Sequence, residues 1–141
     1  MVADPDMQCV YIGDRYGIKT LNDPDKPGLF IITSSGKSLH YPLDVTPAGL
    51  SLTSDKLLLV VCEHDKRGRS LRLFRSERTS SDDVGLVEVE ERRIELQPER
   101  YLLQATEVTS DRYVVSQVHK SNGVHRILVV NSNGIEVSRS I

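Results

Sequence analysis

Cysteine occurs only twice in this chain of 141 residues, proline six times and glycine nine times. Two cysteines are too few for the disulfide framework of a small secreted domain, and so little Pro and Gly argues against wholesale disorder. Both cysteines sit in apolar runs, Gln8-Cys9-Val10-Tyr11 and Val60-Val61-Cys62. There they read as reduced, buried thiols, with a single disulfide between them as the alternative. Apolar runs reach only about six residues, as in Leu57 to Cys62, against the roughly 20 of a membrane-spanning helix, so no membrane segment is expected. No basic start followed by an apolar stretch opens the chain, so no secretory signal is read and a reduced, cytoplasmic setting is expected. The formal net charge is only −2, which excludes bulk attraction of the whole chain to a polyanion.

Catalytic patterns are missing too. No Gly-x-Ser-x-Gly elbow singles out a nucleophile, and no glycine-rich loop cradles phosphate. The run Cys62-Glu63-His64-Asp65 offers metal-ligating residue types, but its spacing matches no zinc site, and adjacent residues at a strand end point to opposite sides. His119 and His125 flank a turn that can bring them together, yet two histidines do not make a site. The expectation is therefore a non-enzyme without metal or other cofactor.

What the chain does hold is a series of short apolar segments rich in Val, Ile, Leu and Tyr, each closed by turn-forming residues. Strands are expected at Cys9–Gly13, Leu29–Thr33, Gly49–Leu52, Leu57–Cys62, Leu71–Phe74, Leu86–Val89, Arg92–Leu96, Leu103–Val108, Tyr113–Val118, Arg126–Val130 and Ile135–Ser138. Ser34-Ser35-Gly36, Ser54-Asp55, Ser121-Asn122-Gly123 and Ser132-Asn133-Gly134 mark turns between them. No stretch keeps a helical apolar period beyond two turns, so helices are not expected.

These segments repeat. Leu29-Phe30-Ile31-Ile32-Thr33-Ser34-Ser35-Gly36 matches Ile127-Leu128-Val129-Val130-Asn131-Ser132-Asn133-Gly134 in residue type at every position. Ser54-Asp55-Lys56 followed by Leu57 to Val61 matches Ser110-Asp111-Arg112 followed by Tyr113 to Gln117, and Asp6 to Ile12 falls in the same slot. The unit is about 49 residues long, the size of a four-stranded antiparallel propeller blade. Three units fill a single all-β repeat domain, residues 1–141, with approximate blades 1–44, 45–96 and 97–141. No first strand is apparent before Met7. A β-sandwich is the alternative, because regular strands and turns suit it as well.

The residues Leu57 to Cys62, Leu71 to Phe74, Ile94 to Pro98, Tyr113 to Ser116 and His125 to Gly134 together resemble NHL-repeat β-propellers, most closely the divergent propellers of tripartite-motif proteins. Family members usually carry five or six blades, and the Cys/His-rich zinc modules of tripartite-motif proteins have no counterpart here. The resemblance implies that the loops joining the second and third strands of each blade share one binding face, used for a protein partner or for RNA. The corresponding residues are Asp14 with Arg15 and Tyr16, the loop from Glu63 through His64, Lys66 and Arg67 to Arg69, and the loop from His119 through Lys120 to His125, followed by Arg126. The function expected is a protein-interaction or scaffold module. The alternative is a surface for single-stranded RNA built on Arg67, Arg69, Lys120 and Arg126, with Tyr16 and Tyr101 as stacking platforms.

Charge is unevenly spread. Lys66, Arg67, Arg69, Arg72, Arg75 and Arg78 form a basic run, and Asp82, Asp83, Glu88, Glu90, Glu91, Glu95 and Glu99 an acidic one. Phosphate contact is one use of the first; pairing of the two runs within a blade or across neighbours is the expected one. Finally, three stacked blades would leave an apolar face open at each end. A homo-oligomer is therefore expected, with two copies closing a six-bladed ring.

Overall fold

The structure, a computed structural model, describes residues 1–18, 26–64, 68–80, 82–96, 100–119 and 121–140. Valine-, isoleucine- and leucine-rich segments pair as three antiparallel meanders. The first sheet holds β1 (Val2–Asp4), β2 (Cys9–Ile18), β3 (Lys26–Thr33) and β4 (Ser38–Pro42) in that order. The second holds β5 (Thr46–Leu52), β6 (Leu58–His64), β7 (Gly68–Arg78) and β8 (Val84–Glu88), with β9 (Ile94–Leu96) also on β7. The third holds β10 (Arg100–Thr109), β11 (Arg112–His119), β12 (His125–Asn131) and β13 (Gly134–Ser140). The only helical element among the described residues is the 3₁₀ turn Glu90–Arg92, so no helix there is long and apolar enough to cross a membrane.

The sheets correspond to the three repeats. Leu29 to Gly36 and Ile127 to Gly134 are each the third strand of a sheet and the turn after it. A backbone detail recurs with them. The non-glycine residues described with positive φ are Gln8 at 52°, Lys56 at 67° and Asp111 at 56°. Each lies at the end of the turn that enters the second strand of its sheet. A left-handed residue there is costly for an L side chain, so its threefold use marks one turn design copied three times.

Two strands escape the sequence pattern. β1 fills the place where no first strand was apparent: Val2, Ala3 and Asp4 pair with Tyr11, Val10 and Cys9. β4 ends on Pro42 and mixes polar with apolar residues, as befits an edge. Leu86–Val89 and Arg92–Leu96, expected as two strands, correspond to β8 and β9, which both pair with β7 along one edge and are separated by the 3₁₀ turn.

Three sheets are stacked face to face, not two. On β6, Leu58, Val60 and Cys62 pack with Cys9, Tyr11, Leu29 and Ile31 of the first sheet. The intervening Leu59 and Val61 pack with Ala105, Tyr113, Val115, Leu128 and Val130 of the third. The middle sheet is therefore covered on both faces, and from Gly68 to Phe74 every residue of β7 is buried. Polar links tie the layers: Ser51 donates to the Ala105 carbonyl at 2.9 Å, and the Ser54 hydroxyl donates to Glu107 at 2.6 Å. Lys37 of the first sheet pairs with Asp83 beside the second.

Candidate functional site

The loop surface implied by the family resemblance is only partly described. Lys66, Arg67 and Lys120 lie outside the described residues, as do 19–25 and 65. Asp14, Arg15 and Tyr16 are not a loop: they belong to β2, which runs on to Ile18. His64 is the last residue of β6. Tyr101 likewise sits within a strand, β10.

Arg69 requires correction as a ligand-contacting cation. It sits in β7 opposite Glu63 with 3% of its surface exposed, so it cannot meet a phosphate in solvent. Its burial follows from the middle sheet's being covered on both sides. Arg126 is half-buried and lies opposite Gln117, which is itself buried on the face turned to the middle sheet. His119 and His125 do not converge. Val118 pairs with His125, so strand alternation sends His119 to the opposite face. His119 is instead held locally, its Nδ1 lying 2.9 Å from the Ser121 hydroxyl, while His125 is exposed.

The basic and acidic runs meet each other, as the sequence suggested. Arg72, 7% exposed, lies 3.7 Å from the Glu88 carboxylate and donates to Asp44 at 2.9 Å. Arg93 pairs with the second oxygen of Glu88. Together with Tyr41 and Phe74 they line a cleft of about 290 Å3 between the first two sheets. Opposite charges fill this cleft, and its chemistry is that of an internal ion-pair cluster. Arg78 is spent on the Met7 carbonyl. Cys9 and Cys62 are free thiols buried in the same apolar layer, and burial pushes the Cys62 thiol up to about 12. Cys62 thus points into the core.

The surface with most to offer was not among the loop residues. Val10, Ile12, Phe30 and Ile32 alternate with the core residues of the first sheet and belong to neither core layer. Each is half-buried, with no sheet opposite among the described residues. Phe30 stacks at 5.3 Å on His40, which lies 3.6 Å from Asp14, on the same outward face. Near β1 this face sinks into an apolar depression of about 430 Å3 lined by Ala3, Pro5, Gln8, Val10 and Ile32. The third sheet has the matching feature: Val114, Ile127, Val129 and Val137 face away from the core. Exposed large apolar side chains concentrate there, with Val108, Val124, Ile135 and Val137 all in or beside this sheet. Alternation along a strand reads as half-buried from sequence; the signal for these faces was that the repeated residues stay apolar in the first and last units.

Comparison with protein-family profiles, with curated proteins and with solved structures gives no match.

Proposed function

We propose that this chain is a non-enzymatic protein-interaction or scaffold module built of NHL-like propeller blades, and that it binds through its two open sheet faces. The observation that carries this reading is the pair of outward faces, Val10-Ile12-Phe30-Ile32 on the first sheet and Val114-Ile127-Val129-Val137 on the third. A half-buried apolar sheet face of this kind is a contiguous surface patch, and such patches are used for association. Free, buried cysteines accord with a reduced, cytoplasmic setting.

The test is affinity capture with three baits: the wild type, Phe30→Asp and Val129→Asp, each first shown to keep its β-type circular dichroism. Specific protein partners retained by the wild type and lost from one or both variants support the reading. Identical capture by all three overturns it, as does salt-sensitive RNA retention that neither variant alters.

A further inference from the structure

We infer that the partner of these faces is a second copy of this chain, the third sheet of each copy docking on the first sheet of the other. This rests on the interaction-module reading above and specifies its partner.

The repeat supplies the argument. Leu29 and Ile31 of β3 face the next sheet and are 0% and 1% exposed. In the second sheet, Leu71 and Leu73 of β7 do the same toward the third. In the third sheet the equivalent residues are Ile127 and Val129 of β12, at the same places in the matching segments. They have the residue type that a following sheet demands, and no following sheet lies over them among the described residues. The first sheet shows the converse. Val10 and Ile12 of β2 occupy the positions of Leu58 and Val60 on β6 and of Tyr113 and Val115 on β11, all of which pack against the preceding sheet. One end of the stack is thus built to be followed and the other to be preceded. A second copy presents both.

Charge agrees: the first sheet's outward face carries Asp14, and the third's carries Arg139, opposite Ile127.

The area suffices. Four strands spaced about 4.8 Å apart and five residues rising about 3.3 Å each make a face of about 320 Å2. Two such joints enclose four faces, about 1,300 Å2 in all, within the range of specific interfaces. Because each joint is heterologous but the pair is closed by a two-fold axis, assembly stops at two copies.

Sedimentation of the purified chain at micromolar concentration tests this. The expected species has twice the 15.8 kDa chain mass. Ile32→Lys alone and Val129→Glu alone each place a charge in both joints and should weaken the dimer about a hundredfold or more. Mixed in equal amounts, they should pair again, because one joint then sets Lys against Glu and the other is wild type. Val137→Glu, at a 43% exposed position, replaces Val129→Glu if the latter does not fold. A monomer at all concentrations overturns the inference, as does a ladder beyond two copies. A dimer lost with only one of the two substitutions overturns it too, since that is the mark of like faces meeting. A monomer whose face variants still lose protein partners in the capture experiment leaves the interaction reading standing; a monomer that captures nothing removes both.

Discussion

Leu58 and Leu59 are neighbours in sequence, and both are 0% exposed. Strand alternation makes this possible only if both faces of the sheet are covered, Leu58 by the first sheet and Leu59 by the third. Truncating either to Ala removes the same atoms and leaves a cavity, which costs about 2–5 kcal/mol in a packed interior. With a urea slope of about 2 kcal/mol per molar, a loss of about 3 kcal/mol moves the unfolding midpoint down by about 1.5 M. The expected result is that Leu58→Ala and Leu59→Ala shift the midpoint by similar amounts. The two series are run at one protein concentration, because any self-association adds to apparent stability. If one substitution costs about 3 kcal/mol and the other under about 0.5 kcal/mol, the value for a solvent-facing position, the three-layer stack is refuted.

Three further outcomes follow from the same packing. Gly28→Ala should lower stability by about 1–3 kcal/mol by overpacking, because a Cβ there would lie 2.3 Å from the Tyr41 carbonyl oxygen and push β4 off β3; unchanged unfolding would contradict that close approach. Arg69→Ala should cost about 1–3 kcal/mol in urea unfolding, as loss of a buried polar side chain, whereas a midpoint equal to wild type would return Arg69 to the surface. Burial raises the Cys62 pKa to about 12 from an ordinary thiol value of 9.0, so the neutral thiol favours the folded state. That contribution is complete below about pH 9 and is lost as pH rises from there toward 12; wild type should lose stability over this interval more steeply than Cys62→Ala, and parallel curves would show that the thiol is not buried.

The sequence by itself determined the strands and their repetition. Val, Ile and Leu in short runs between Ser-Asp and Asn-Gly turns leave little choice but antiparallel pairing, and the match of Leu29–Gly36 to Ile127–Gly134 located the same strand and turn in the first and last sheets. It also indicated that Arg72 and its neighbours would meet the acidic run, since β7 and β8 are adjacent in the chain and pair. Tertiary structure alone decided which apolar residues are core and which are open. Val10 and Tyr11, or Val129 and Val130, are equally apolar on paper; only the position of a sheet in the stack makes one of each pair buried and the other outward. Arg69 failed as a surface residue for the same reason: a cation in a polar segment looks exposed until a second layer covers its strand. Burial is a property of neighbours distant in sequence, and a local pattern records the alternation of faces but not what lies across from each.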